Sequence, residues 1–167
     1  MEKREQKGSN IIPVLRKLAK ILEENYIEYC IVGSTSLFLE GLPVEPSDID
    51  ILTTKDSAFK IDKLLNPYRL VECKLRESEV FRSYFGKYKI DSIDVEVMGE
   101  LQYRKNSEWS EPFTPLTIKT KYVNLNNEKI RIARLEETYK FCKEIGREKT
   151  CRTIEEYLRK LGRNIKL

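Results

Sequence analysis

Two short apolar segments that border polar residues constrain the fold of this 167-residue chain more than any other feature. The first, Ile27–Val32, is rich in β-branched and aromatic residues and runs directly into Gly33-Ser34. The second, Asp48–Leu52, begins by alternating acidic and apolar residues. Alternation with period two is typical of a strand with one buried face, so Asp48 and Asp50 are predicted to project from the same side. The sequence therefore predicts a strand that ends in a Gly-Ser turn, followed by a strand with paired carboxylates.

Helical periodicity flanks these strands. Apolar residues recur at helical spacing from Ile11 to Leu22, which predicts an amphipathic helix with Asn10 as its N-cap and Pro13 in its first turn. Four more helices are predicted at about 35–40, 56–65, 135–145 and 149–161.

Between the helices, runs of β-branched and aromatic residues predict strands at about 70–75, 80–85, 88–90, 93–98, 118–125 and 129–132. Turns are predicted at Gly86-Lys87 and Asp91-Ser92. The fold class that fits is α+β: a short mixed sheet flanked by helices, with a C-terminal helical hairpin. We expect one domain, with the sheet and its helices over about 11–132 and the C-terminal helices over about 133–167.

The composition excludes several kinds of chemistry. The chain has no histidine, which removes Ser-His-Asp and Cys-His catalysis and the commonest transition-metal ligand. Its four cysteines form no CxxC pair, so a zinc site is not supported, and we interpret them as core residues. A bridge between Cys142 and Cys151 stays open if the last two helices pack antiparallel.

No apolar stretch approaches the roughly 20 residues that a membrane helix needs, and the first residues lack the apolar core of a signal peptide. We therefore expect a cytoplasmic protein without a membrane partner.

The last 39 residues carry 12 basic and 6 acidic side chains, which would favour an anionic ligand. Two alternatives stay open: a solvated, ion-pair-rich surface of the kind found in heat-stable proteins, and binding of RNA or DNA.

The acidic residues suggest a metal site. The Cβ atoms of Asp48 and Asp50 are expected roughly 6 to 7 Å apart, which lets both carboxylates bind one hard cation. A later predicted strand carries Asp94 and Glu96 with the same spacing, and either residue would supply a third carboxylate. We favour Asp94, so that Asp48, Asp50 and Asp94 are the predicted metal ligands. Oxygen donors alone indicate Mg²⁺ or Mn²⁺. The alternative is a solvent-facing, charged strand surface paired with lysine or arginine.

The turn after the first strand is predicted to bind phosphate. Gly33 allows close approach of a ligand to the backbone, and the N–H groups of Ser34, Thr35 and Ser36 begin a helix. Alternatively, the serines only cap that helix. Together with the acidic residues, a phosphate site of this kind suits phosphoryl or nucleotidyl transfer, which requires no histidine.

The segments Ile31–Ser34 and Ser47–Ile51 resemble the signature of the polymerase β-like nucleotidyltransferase superfamily: an apolar strand, Gly-Ser, and Asp-x-Asp in a second apolar strand, with a third acid later. The resemblance covers about residues 11–100. It implies the nucleotidyltransferase fold and a metal-dependent enzyme that moves a nucleoside monophosphate from a nucleoside triphosphate such as ATP to a hydroxyl acceptor. The acceptor would be a small molecule, a protein or RNA.

The segments 134–140 and 146–149 are similar to the C-terminal helices of small stand-alone prokaryotic members, which include thermophile proteins, antibiotic-modifying enzymes and abortive-infection toxins. By that resemblance Lys140 would approach the nucleotide phosphates. Alternatively, Lys140 forms helical ion pairs with Glu136 and Glu144. Because such proteins include inactive copies, the resemblance also allows a non-catalytic nucleotide-binding or regulatory module of the toxin–antitoxin type.

Overall fold

The computed structural model of the protein describes residues 2–163, and their side chains from residue 10 onward. Within this range the α-helices are α1 (Glu2–Glu24), α2 (Gly33–Glu40), α3 (Lys55–Leu64), α4 (Leu135–Glu144) and α5 (Glu148–Lys160), and a 3₁₀ turn covers Asn66–Tyr68. The strands are β1 (Tyr29–Val32), β2 (Asp48–Thr53), β3 (Arg69–Glu77), β4 (Phe81–Ile90), β5 (Ile93–Lys105), β6 (Glu108–Trp109), β7 (Thr120–Leu125) and β8 (Glu128–Ala133).

The strands form a mixed sheet in the order β3-β4-β5-β2-β1-β8-β7, and β6 pairs with β5. The pairs β2·β5 and β1·β8 are parallel, whereas the other pairs are antiparallel. The α+β class predicted from the sequence is therefore confirmed. The parallel pairs place strands that are distant in the chain side by side at the centre of the sheet, which is where the acidic residues lie.

One face of the sheet is closed by α1 and α3. The apolar stripe of α1, including Leu15, Leu18 and Leu22, packs with Ile49 and Ile51 of the central strands, and all of these side chains are buried. Helix α1 is longer than predicted: it begins at Glu2 instead of Asn10, so Pro13 lies inside the helix. The Glu, Lys, Arg and Gln residues before Asn10 favour helix well enough to extend it beyond the proline.

Helices α2, α4 and α5 pack around a smaller cluster beside the other face, which contains Leu37, Tyr139 and Ile154. Cys142 and Cys151 belong to it, and both are free thiols, as are Cys30 and Cys73. All four cysteines are buried, which agrees with the interpretation as core residues. No helix within residues 2–163 combines the length and the apolar character that a membrane span requires.

The predicted turn at Gly86-Lys87 is wrong, because β4 runs without interruption from Phe81 to Ile90. Gly86 lies inside the strand, where an added Cβ would stand 2.5 Å from the hydroxyl oxygen of Tyr88. That hydroxyl donates a hydrogen bond of 2.7 Å to Asp62 of α3. The glycine therefore makes room for a buried tyrosine rather than for a turn. The turn at Asp91-Ser92 is confirmed, and both residues have positive φ.

Candidate functional site

Strands β2 and β5 bring four carboxylates together on one face of the sheet. The parallel register pairs Asp48 with Asp94 and Asp50 with Glu96. Ile49 between the two aspartates is completely buried on the opposite face. Neighbouring strands lie about 4.8 Å apart, so the four acidic residues form a two-by-two group on adjacent strands. The spacing within each strand is the one that the sequence predicts.

The turn that follows β1 lies beside this acidic group. Val32 pairs with Asp50 across the antiparallel β1·β2 ladder, and Gly33 follows with φ +71°, in the left-handed region. An added Cβ at Gly33 would stand 2.8 Å from Asp50 Oδ2. Glycine is therefore required here both by its backbone conformation and by the closeness of the carboxylate.

Hydrogen bonds connect the start of α2 to the acidic strand. Thr35 Oγ1 donates to the backbone carbonyl of Asp48 over 2.6 Å, and Ser36 Oγ donates to the carbonyl of Gly33 over 2.8 Å. Both side chains are about 1% exposed, so the structure places the Ser36 hydroxyl inside the turn and away from any phosphate outside it. Ser34 is partly exposed, and the first N–H groups of the helix remain available to an anion.

Asp50 has an unusual electrostatic environment. Its pKa is raised to about 7, first by burial and then by the negative charges of Asp48 and Glu96, against the lowering effect of Arg147. Burial and like-charge repulsion both favour the neutral acid. A cation bound between these carboxylates would relieve the repulsion.

Two lysines of β4 approach the carboxylates of β5 from the other side. Lys87 Nζ lies 3.7 Å from Asp94 Oδ2 and 4.0 Å from Glu96 Oε1, and Lys89 Nζ lies 3.7 Å from Asp94 Oδ1. Asp94 is therefore flanked by two ammonium groups and lies level with Asp48, whereas Glu96 lies level with Asp50. The structure thus distinguishes the two candidates for the third carboxylate by their surroundings.

The residues of the acidic group suit a divalent metal ion. Within the described part of the chain, the side chains do not converge into a ready-made group of three metal ligands. The donors are nevertheless all oxygens, as Mg²⁺ prefers. Asp94 Oδ1 is shielded from solvent and accepts no hydrogen bond from the residues that the structure describes. The four residues lie side by side on paired strands, so they are the residues that would hold such an ion.

A cavity of about 330 Å³, called the sheet cavity below, opens on this group. Its polar residues include Asp50, Glu96 and Arg147, and Gly33 lies at the same end. The apolar lining comes from the sheet, from the segment after β6 and from α4: Val32, Leu52, Phe81, Phe85, Met98, Leu101, Phe113, Ile118, Ala133 and Phe141. Among the described residues that line it, Arg147 alone is cationic.

Lys140 does not line the sheet cavity. It is exposed on α4 and borders a separate groove together with Lys119, Arg134 and Glu136. Glu144, its predicted helical ion-pair partner, instead binds Lys105 Nζ at 2.6 Å. Arg147, from the turn between α4 and α5, lines the cavity beside the acidic group instead, and the approach of Lys140 to nucleotide phosphates stays a prediction.

Comparison with protein families gives one match that spans most of the chain. The family model for aminoglycoside-2''-adenylyltransferases matches residues 14–159. The chain belongs to this family. A search of curated proteins gives no match.

Solved structures agree with this family assignment. A protein from Thermotoga maritima, provisionally assigned as a nucleotidyltransferase, is 29% identical with a TM-score of 0.77, and the match covers 90% of this chain and 93% of that one. An antigenic nucleotidyltransferase-like protein from Paracoccidioides brasiliensis is 15% identical, with a TM-score of 0.55 over 90% of this chain and 78% of that one.

The enzyme ANT(2")-Ia, crystallised with adenylyl-2"-tobramycin, is 9% identical with a TM-score of 0.54, and the match covers 88% of each chain. At such identities the last two structures show the fold alone. By family and by fold, the chain is a nucleotidyltransferase, as the superfamily resemblance of its sequence indicates.

Sequence reasoning missed three charged residues at the site of this family member: Lys87, Lys89 and Arg147. The signal for the lysines was present, because a two-residue turn at Asp91-Ser92 fixes a hairpin register that places each lysine opposite an acid of β5. Arg147 had no such signal. Its position depends on how α4 and α5 pack against the sheet, which local sequence does not specify.

Proposed function

We propose that the protein transfers a nucleoside monophosphate from a nucleoside triphosphate to a hydroxyl acceptor, in a reaction that depends on Mg²⁺ or Mn²⁺. The observation that carries this proposal is the group of four carboxylates on paired strands β2 and β5 beside the Gly33 turn. Family and fold support nucleotidyl transfer in general terms. The metal, the donor and the roles of single residues are our inference from the geometry.

The phosphates of the donor would lie across the opening of the sheet cavity. On one side, the first N–H groups of α2 after Gly33 offer hydrogen bonds to phosphate oxygens. On the other side, Arg147 lines the opening near Asp50 and supplies a positive charge. These groups would hold the triphosphate next to the acidic strands, whereas Lys140 borders a separate groove although its neighbours Thr138 and Phe141 line the cavity.

Asp48, Asp50 and a third carboxylate of β5 would hold the metal. When bound, the ion would neutralise phosphate charge and lower the pKa of the attacking hydroxyl. We assign Glu96 as the third carboxylate because it lies level with Asp50 and faces the sheet cavity, while Asp94 lies between two lysines. In that position Glu96 would accept the proton of an acceptor hydroxyl in the cavity.

Binding and turnover of the triphosphate test this proposal. Asp48→Asn and Asp50→Asn should lose Mg²⁺-dependent triphosphate binding in calorimetry, whereas Asp56→Asn, an exposed change on α3, should bind as the unaltered protein does. Glu96→Gln should impair pyrophosphate release more than Asp94→Asn. Unchanged Mg²⁺-dependent binding in both Asp48→Asn and Asp50→Asn would refute the metal site. The reverse order of the two β5 variants would make Asp94 the third carboxylate.

A non-catalytic nucleotide-binding module is a second candidate, and one observation favours it. The ammonium groups of Lys87 and Lys89 lie near both carboxylates of β5, at distances where they compete with a metal ion for those oxygens. A module of this kind would bind triphosphate but would release no pyrophosphate with any acceptor. Lys87→Gln removes one of these ammonium groups, so a catalytic site should release more pyrophosphate at low Mg²⁺ in this variant, whereas a non-catalytic module should release none with or without the substitution.

A further inference from the structure

The sheet cavity is acidic at the end where Gly33, Asp50 and Glu96 lie together, which we call its opening, and the rest of its lining is mainly apolar. Phe81, Phe113 and Phe141 line it, and the ring of Phe141 packs against the other two, with centroid distances of 6.4 Å to Phe81 and 5.4 Å to Phe113. These residues belong to an apolar cluster in which Leu52 and Ala133 are buried, whereas the three phenylalanines, Met98 and Ile118 are only partly buried. A ligand bound in the cavity in addition to the nucleoside triphosphate would complete the burial of this cluster.

We propose that this cavity binds the acceptor, and that the acceptor is a small molecule with an apolar or aromatic body and a hydroxyl group at one end. The inference rests on the proposed function, since it assigns the acceptor class for that same site. The hydroxyl would lie beside Asp50 and Glu96, and the apolar body would contact the phenylalanines deeper in the cavity.

The position of the base supports the acceptor as the occupant. A general base must lie within hydrogen-bond reach of the hydroxyl from which it takes the proton. Glu96 faces the sheet cavity, so the hydroxyl must be in the cavity as well. In-line displacement places the attacking hydroxyl and the departing pyrophosphate on opposite sides of the reacting phosphorus. Phosphates bound at the opening therefore leave the interior to the acceptor.

The size of the cavity supports the same assignment. Its volume of about 330 Å³ is at the lower end of the range of roughly 300 to 1,000 Å³ for pockets that enclose one small ligand. A nucleoside inside the cavity would leave no space for an acceptor next to Glu96. The donor nucleoside must then lie outside it, against the exposed surface near the opening.

The lining also selects against a polycationic acceptor. Beyond the opening, the polar lining residues are Ser83, Glu137 and Thr138, and Glu137 is the one acid among them in the described chain. Several ammonium groups buried among phenylalanine and aliphatic side chains would lack partners, which is unfavourable. The chain therefore differs in predicted acceptor class from the aminoglycoside that the name of its family specifies.

A pair of probes tests the proposal: 3-phenyl-1-propanol as the apolar alcohol and tobramycin as the polycation. Saturation-transfer NMR should detect 3-phenyl-1-propanol on the full chain with Mg²⁺ and ATP present. Met98→Trp and Ala133→Leu each fill the cavity, and each should weaken probe binding about tenfold or more while Mg²⁺-dependent ATP binding persists. The control is Phe59→Trp, which introduces an indole ring on the opposite face of the sheet. This variant should bind the probe as the unaltered protein does.

Pyrophosphate release gives the second measurement. Simple aryl alcohols should stimulate it at least about tenfold over water, and tobramycin should not. The inference is overturned if ATP displaces the probe, because the cavity then takes the nucleoside. It is also overturned if only tobramycin stimulates release or if both cavity-filling variants bind the probe unchanged. If the unaltered protein shows no Mg²⁺-dependent ATP binding, the proposed function itself is refuted, whether or not the probe binds.

Discussion

The two faces of the central sheet differ in burial and in charge. On the face under α1 and α3, Ile49, Ile51, Val95 and Val97 are all completely buried. On the opposite face, the same two strands present four acidic side chains and border a cavity whose apolar lining includes partly buried side chains such as Met98 and Phe141. Because side chains alternate along a strand, successive residues of β2 or β5 lie in turn on the face closed by α1 and α3 and on the acidic face.

This division shows how the fold tolerates a costly site. A buried carboxylate next to two others is unfavourable for folding, and an open apolar cavity forgoes contacts that a filled core would make. The closed face supplies the burial that offsets both. Substitutions on the two faces should therefore affect stability and activity separately, and neighbouring residues of one strand allow a direct test.

The largest effect is expected at Asp50. Asp50→Asn removes a negative charge from the proposed metal site, so the rate of pyrophosphate release with a competent acceptor should fall by about a thousandfold or more. Steady-state kinetics at saturating Mg²⁺ would measure it, with Asp56→Asn as the control. Activity within a few fold of the unaltered protein would show that the acidic face is not the reactive one.

Substitution of Ile51, the residue next to Asp50, should lower stability and leave activity unchanged. Ile51→Ala creates a cavity on the closed face, where Ile51 is 0% exposed, and should lower the free energy of unfolding by about 3 kcal/mol. Urea denaturation would measure the loss. At a temperature where the variant remains folded, its activity per folded molecule should be unchanged. A proportional fall in that activity would contradict the separation of the two faces.

The stability of the metal-free protein should depend on pH through Asp50. Its pKa is about 7 in the folded chain and about 3.9 in an unfolded one, so the folded state holds this proton more tightly. The stabilisation from that proton is complete below about pH 4 and is lost as the pH rises to about 7.

Relative to the unaltered protein, Asp50→Asn should therefore be more stable at pH 8, by on the order of 4 kcal/mol, and should differ little at pH 4. Thermal or urea unfolding at the two pH values, without metal, measures this difference. Addition of Mg²⁺ at pH 8 should stabilise the unaltered protein and not the variant. An equal stability difference at both pH values would exclude ionisation of Asp50 as its cause.

The smallest effect concerns the cation at the cavity opening. Arg147→Gln should raise the KM for the triphosphate about tenfold with little change in kcat, because one charge-assisted contact to phosphate is removed. Lys140→Gln provides the matched comparison on α4 and should leave KM within about twofold. If Lys140→Gln raises KM and Arg147→Gln does not, the role that the resemblance assigns to Lys140 is correct and our reassignment fails.

Local patterns were sufficient to predict much of the fold. The alternation in Asp48–Leu52 places both aspartates on one face of a strand, and the structure agrees. The turn at Gly33 is predictable from the apolar strand that precedes it. The predicted ends of the two C-terminal helices lie within one residue of the observed ends. These features depend on neighbours in the sequence, which is why they are predictable.

Local patterns are insufficient where distant residues decide the outcome, and the predicted turn at Gly86-Lys87 is wrong for this reason. Gly86 looks like a turn, but the ring of Tyr88 and its bond to Asp62 of α3 keep it in a strand. The choice between Asp94 and Glu96 depends on the register of β2 against β5, and Arg147 reaches the cavity through helix packing. Of the four predicted phosphate-binding residues, Ser36 donates its hydroxyl to the nearby Gly33 carbonyl and Lys140 borders a separate groove, and the phosphate roles of all four stay predictions.

The parallel pairing of β1 with β8 joins the first strand of the chain to the last. Ala133 of β8, Phe141 of α4 and Arg147 all line the cavity that opens on the carboxylates of β2 and β5. During synthesis on a ribosome, the acidic residues emerge long before the wall that faces them. A nascent chain therefore holds its acidic residues without this enclosure until the segment through Arg147 has been synthesised, and the proposed nucleotide site is incomplete until then.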